Sequence, residues 1–394
     1  MIRSATLAFA LIAVSAPAFA HHGPGTFELG KTVSFPEATF TRIEFINPHA
    51  WLYFETKEAD GKIMKHRCEM RSAHTLRRSG WDPAMFKSGE KVAIEASPDR
   101  ADPASCYLQT IKFANGTHMD RYGQYVKASG GELKEVRGQA APPDVSKRQA
   151  RRPSGEPNIT GDWAPEQVVM ANPKGTGGGL VPLSTLKTID EAGGPQRGGG
   201  GGRGRGGAPA GPRLYGGTEL TEQGTKEAAA FRQREDNPRF SCQTTSILFD
   251  WTFDGPVNRI TQNKDTTVIQ YGQMNLKRTI FMNQKTHPAN VKPTRAGHSI
   301  GNWENDVLVV DTVGFLSGVL NAPVRNSDKL HIVERFSLDP KTMKVTRAYT
   351  AEDPVYLKGK YAGQDVVEVA DKPYTEDHCK DQTLVDYSKV SQKK

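Results

Sequence analysis

Gly297-His-Ser-Ile-Gly-Asn-Trp-Glu-Asn-Asp-Val-Leu-Val-Val-Asp-Thr-Val313 is the stretch on which the reading of the fold turns. It holds two extended runs, Gly297 to Trp303 and Val307 to Val313, split by Glu304-Asn-Asp306, residue types that make a tight hairpin turn. The same pattern recurs on both sides. Ser246 to Phe253, Val257 to Gln262, Thr266 to Tyr271, Lys277 to Met282, His331 to Leu338 and Lys344 to Thr350 are further short extended runs divided by turns. Strands at this spacing predict an antiparallel β-barrel over residues 216–385, and the version expected is calycin-like, with an internal pocket. Ahead of the strands, Gly216 to Glu235 reads as a helix with Thr218 at its cap.

A second mainly β unit is expected over residues 21–120. Lys31 to Phe45 is extended and interrupted at Pro36, Ala50 to Thr56 is rich in aromatic residues, and Ala59-Asp-Gly61 turns the chain into Lys62 to Met70. Ser72 can cap a short helix that runs to Arg78 and ends at Gly80. Two more strands follow, around Phe86 to Glu95 and Tyr107 to Phe113. A helix between the third and fourth of five short strands is the order of an OB-like five-stranded barrel.

Residues 121–215 separate the two units. They carry Lys147-Arg-Gln-Ala-Arg-Arg-Pro153 and a run of glycine and arginine from Arg197 to Pro212, which buries too little apolar surface to offset its conformational entropy. This is expected to be a flexible linker, within which Thr160-Gly-Asp-Trp163 reads as an ordered island that docks back on a domain.

The first 20 residues have the layout of a secretory signal peptide: basic Arg3, an apolar stretch from Ala5 to Val14, and Ala18-Phe19-Ala20 as an A-x-A cleavage site. A periplasmic or secreted location follows as an expectation, and in that compartment thiols pair. Four cysteines permit three connectivities. With two on each side of the linker, Cys68–Cys106 and Cys242–Cys379 would each staple one domain. No C-x-x-C, H-E-x-x-H or Walker loop occurs, and a net charge of +8 is only moderately basic, so nucleotide-dependent chemistry and nucleic-acid binding are not expected.

Cleavage after Ala20 would make His21 an amino terminus. Its amine and imidazole, with His22 and with His49 of Asn47-Pro-His-Ala-Trp51, make a candidate copper site, copper being the one cofactor that the sequence points to. His49 and Trp51 read equally as ligand-facing residues or as a strand-entry turn whose Trp fills the core.

Several of these motifs together resemble an uncharacterised family of exported bacterial proteins. They are His21-His22, Glu44-Phe-Ile-Asn-Pro-His-Ala-Trp51, Arg77-Arg-Ser-Gly-Trp81 and Lys87-Ser-Gly-Glu-Lys-Val92, with the Gly297-His-Ser-Ile-Gly301 region as the usual C-terminal companion. The resemblance implies no settled activity.

In the C-terminal unit, His298, Trp303, Glu304, Asp311 and Glu334 are expected to converge inside the barrel, because alternate strand residues share a face. Asp311, His298 and Glu334 are the candidate catalytic groups, and Trp51, His298, Trp303 and Asp311 the candidate ligand-binding ones. The bland reading of Asp311 is a strand-end acid paired with Arg295 or Arg335. The Gly-His-Ser-Ile-Gly run lacks the order of a serine nucleophile elbow, and its glycines serve close packing or a bulge. The expected function is binding of a small molecule outside the cytoplasm, with a protein of the periplasm or outer membrane as a second partner. The alternatives are cofactor-independent acid/base catalysis by a lyase, hydratase or isomerase, and copper-dependent oxidation.

Overall fold

The computed structural model describes residues 27–120, 124–126, 135–136, 144–166, 168–170, 180–182, 214–233 and 235–381. In the N-terminal unit, alternation of apolar and polar residues gives β1 (Val33–Glu44), β2 (Trp51–Lys57), β3 (Ile63–Glu69), β4 (Lys91–Pro98) and β5 (Ser105–Phe113). The sheet runs β3-β2-β1-β4-β5, and a parallel pairing of β3 with β5 closes it into a five-stranded barrel. Between β3 and β4 lies α1 (Ala73–Arg78), where Ser72 Oγ accepts the Thr75 amide at 3.3 Å. The OB-like order is thus observed, including its helix. Phe40, Leu52, Phe54, Leu76, Ile94 and Leu108 fill the interior, and the Cys68–Cys106 disulfide joins the two strands of the closing pair.

The C-terminal unit is a closed barrel of nine strands. These are β6 (Gly161–Pro165), β7 (Asn258–Gln262), β8 (Thr266–Gln270), β9 (Lys277–Phe281), β10 (His298–Glu304), β11 (Val307–Val313), β12 (His331–Asp339), β13 (Lys344–Glu352) and β14 (Tyr361–Val369). Neighbours follow that order and β14 returns to β6, all antiparallel except the β9–β10 pair. The island read at Thr160 to Trp163 is therefore a structural strand, since β6 bonds to both β7 and β14 and shuts the barrel.

Two expectations change here. Gly216 and Gly217 take positive φ and turn the chain at Tyr215–Thr218, so α2 begins later, at Glu222–Ala230, with Thr221 Oγ1 accepting the Gly224 amide at 3.0 Å. Ser246 to Phe253 is not a strand. It is a run of turns whose Ile247, Leu248 and Trp251 are buried with the inward side chains Ile260, Ile280, Val310 and Phe336. An apolar run reads as a strand, but a wide barrel gains more by filling its interior with those side chains than by adding them to the sheet. They occupy the space where the internal pocket is expected.

Beside them lies a buried ionic network. Arg278, Glu334 and Arg347 are 0–1% exposed. Glu334 meets Arg278 at 2.5 Å and Arg347 at 3.3 Å. Arg347 also reaches Asp365 at 2.6 Å and donates to the Ile247 and Leu248 carbonyls at 2.9 Å each, which ties the inserted turns to the wall.

The two units share a polar seam. Asn47 Nδ2 donates to Asp377 at 2.7 Å, the Lys380 amide to the Asn47 carbonyl at 3.1 Å, and Thr75 Oγ1 to the Asp254 carbonyl at 2.9 Å. Arg78 bonds Asp371 at 2.9 Å and the Pro165 carbonyl at 2.8 Å. The Cys242–Cys379 disulfide pins the C-terminal segment that meets Asn47. Among the described residues no helix is long and apolar enough to cross a membrane.

Candidate acid/base site

His298, the first side chain of the cluster, is set by Gly297. Its φ is +67°, and a Cβ there would lie 2.7 Å from Thr312 Cγ2 and 2.9 Å from the Val313 carbonyl, so only glycine leads into β10 at this point. From His298 onward the strand alternates, with Ser299 and Gly301 buried inward. His298 therefore stands on the outer face. In β11, Leu308, Val310 and Thr312 are buried and Asp311 lies on the other face; in β12, Ile332, Glu334 and Phe336 point in and His331 out. The registers Ile300↔Asp311 and Thr312↔Ile332 bring these outer residues together.

The loop between β9 and β10 supplies a fourth group. His287 Nε2 lies 2.9 Å from Asp311 Oδ1, and its Nδ1 lies 2.8 Å from His298 Nδ1. His331 Nε2 lies 3.0 and 3.1 Å from the two oxygens of Asp311. The Phe281 ring stacks on His298 with centroids 5.1 Å apart.

These distances fix where the protons sit when His287 and His298 are neutral. An ionised carboxylate only accepts, so His287 carries its proton on Nε2 and points it at Asp311. Its Nδ1 is then a lone pair, which takes the Nδ1 proton of His298. His298 is left with its lone pair on Nε2. The environments separate the members further. The hydrogen bond from His331, and then that from His287, hold Asp311 below the ordinary carboxylate value against the opposing effect of burial. The same bond to Asp311 raises His331, while burial and the adjacent His287 lower His298. The surroundings thus favour the neutral imidazole at His298 and the imidazolium beside the carboxylate at His331, a division suited to a base and an acid.

A pH dependence of stability follows. His331 is raised from 6.5, so its bond to Asp311 contributes fully below pH 6.5 and is lost as pH rises through the raised value. Asp311 is lowered from 3.8, so its contribution is present above pH 3.8 and is lost as pH falls through the lowered value. The difference in thermal midpoint between the native protein and His331→Gln is expected to be greatest between these two values and to shrink on the alkaline side. A difference that does not vary with pH would show that the pair adds nothing ionic.

Of the residues singled out in the sequence, His298 and Asp311 are joined through His287, though on the outer face and not inside the barrel. Glu334 lies inside, spent on Arg278 and Arg347. Trp303 packs on the barrel core, and Glu304 pairs with Arg335 at 3.5 Å. The partners of Asp311 are histidines, not Arg295 or Arg335. Trp51 is buried in the N-terminal unit with Tyr53 and Ile46, away from this cluster. His49 Nδ1 lies 2.7 Å from the buried Glu69, and its ring packs edge-on against Phe240 across the seam. His21 and His22 lie outside the described residues. Among the described residues, no three His, Cys, Asp or Glu side chains are arranged to hold a metal ion. In this cluster both nitrogens of His287 are engaged by neighbours. Sequence reading missed His287 and His331. The second had a signal, since His331 opens an expected strand on the face opposite Ile332, whereas His287 lies in a loop that carries no period.

The model of a family of unknown function (DUF6152) matches residues 9–106, which reach through most of the N-terminal barrel. No curated protein and no solved structure matches the chain.

Proposed function

We propose that this is an exported protein whose C-terminal barrel carries out general acid/base chemistry on a small molecule at its outer face. The observation that carries the reading is the His287–His298 contact of 2.8 Å, joined to Asp311 at 2.9 Å. His298 Nε2 takes a proton from the substrate. The Nδ1 proton of His298 can then pass to His287, where the Asp311 carboxylate stabilises the charge. His331, whose bond to Asp311 favours its protonated form, faces the developing anion and can return a proton, so an isomerisation, hydration or elimination closes without a cofactor. Ligand binding and catalysis thereby fall on one surface. Export rests on the leader sequence and is supported by the two disulfides. It would also expose His21 as a terminal amine for copper.

Ring opening of 5-nitrobenzisoxazole, which needs only a general base, tests the site without knowledge of the natural substrate. The native protein should accelerate it in the presence of EDTA, with a pH midpoint below 6.5, and His298→Ala should lower the rate by about 10²–10⁴-fold. An equal rate in His298→Ala would remove His298 from the mechanism.

A further inference from the structure

The seam between the two barrels contains a cleft of about 370 Å³ that the acid/base reading does not use. Arg77, Trp81 and Pro83 form one wall, and Val257, Lys372 and Pro373 the other, so apolar surface and positive charge come from both units.

The charges that line the cleft divide into those already committed and those not. Arg78 is spent on Asp371 and on the Pro165 and Gly255 carbonyls. His74 is drawn to Asp377 at 3.4 Å. Asp82 accepts the Ala84 amide at 2.8 Å as the cap of a short 3-10 turn. Arg77 and Lys372 remain exposed at opposite walls, and Arg77 lies 5.2 Å from the Phe45 ring. Between them Trp81 is only 2% exposed, and its indole N–H finds no hydrogen-bond acceptor among the described residues. A buried donor without an acceptor is uncommon, because desolvating it costs free energy that nothing returns.

We propose that this cleft binds an organic acid, a small molecule whose apolar body lies against Trp81, Val257 and Pro373 while its carboxylate meets Arg77 and Lys372. The chemistry is complementary on each count: an anion for two uncommitted cations, an acceptor for the indole N–H, and a flat apolar body for a lining of Trp and Pro. A ligand seated there touches both units, so it favours the docked arrangement and raises the thermal midpoint, increasingly so as its concentration exceeds its Kd. The inference stands on residues separate from His298 and Asp311, and either can fail without the other.

The test uses 1-naphthoate and its neutral isostere 1-naphthamide, titrated by calorimetry and by tryptophan fluorescence against the full mature chain. Naphthoate should bind, raise the thermal midpoint and bind roughly tenfold or more tightly than the amide. Arg77→Gln with Lys372→Gln, both exposed positions that the fold tolerates, should erase that preference for the acid. Trp81→Phe should weaken naphthoate while keeping the apolar wall. The proposal is overturned if naphthoate fails to bind at millimolar concentration. It is equally overturned if acid and amide bind alike, or if the double variant binds naphthoate as the native chain does.

Discussion

Glu334→Ala is expected to cost the C-terminal barrel about 3–5 kcal/mol, the range for breaking a buried ion pair by removing one partner. The carboxylate is fully buried between two buried guanidinium groups, Arg278 and Arg347. Without it, Arg347 keeps Asp365, whereas Arg278 keeps the Ser299 and Thr312 hydroxyls, at 2.8 and 2.7 Å, and the Tyr271 hydroxyl, all of them neutral. Arg278 would then be a fully buried cation with no carboxylate of the described residues in contact, and Arg347 would be left with one. Glu334→Gln separates charge from volume, since it keeps the shape and removes the anion, and it should lose most of the same stability. Glu304→Ala is the control, because its exposed pair with Arg335 is of a kind worth at most about 1 kcal/mol. Urea unfolding of the three variants decides the matter. A Glu334→Ala loss no larger than that of Glu304→Ala would mean that the network is not a structural cross-brace.

Loss of the Cys242–Cys379 disulfide is expected to be comparably large. The two residues are 137 apart, and closing a loop of that length restricts the unfolded chain by about 5 kcal/mol in the chain-entropy account. The bond also pins the segment through which Asp377 and Lys380 hold Asn47, so its removal should loosen the seam as well as the barrel. Cys242→Ser with Cys379→Ser should therefore lower the thermal midpoint and hasten proteolysis after residue 370. Cys68→Ser with Cys106→Ser, which opens a 38-residue loop, should cost about 4 kcal/mol by the same account and leave the seam intact. On the proposed export and cleavage after Ala20, the chain recovered from a periplasmic fraction should begin at His21 by mass, and with both disulfides formed it should contain no free thiol. A full-length chain that retains its first 20 residues there would refute the cleavage.

How much of this was legible in sequence depends on the range of the interaction. Strand alternation and capping are local, so β10 and β11 fall within a residue of their expected bounds and α1 starts at the expected Ser72 cap. The five-strand order of the N-terminal barrel follows from where the helix interrupts the strands. The disulfides follow from two cysteines on each side of a glycine-rich break. His298 and Asp311 were also legible as residues of one face, because alternate strand residues share a side and a tight hairpin sets the two strands against each other, although the register opposes His298 to Val313 and Asp311 to Ile300.

Which side of the sheet that pair faces was not legible. In a run such as Val307 to Val313 the inward set is Leu308, Val310 and Thr312, and the outward set is equally apolar apart from Asp311. Only closure of the sheet selects between them. The same closure recruited Gly161–Pro165 from the expected linker as the last strand and drew Ile247, Leu248 and Trp251 inside. It also sent Glu334 to two arginines from other strands, and brought His287 and His331 to Asp311 from 24 and 20 residues away in the chain. The sequence by itself determined most of the strands and their order, the covalent staples and two members of the histidine–aspartate cluster, since each depends on neighbours along the chain. The tertiary structure alone decided inside from outside, and with it which carboxylate braces the core and which one holds histidines at the surface. That choice is made by burying the largest total apolar surface, a quantity that belongs to the closed barrel and to no single strand.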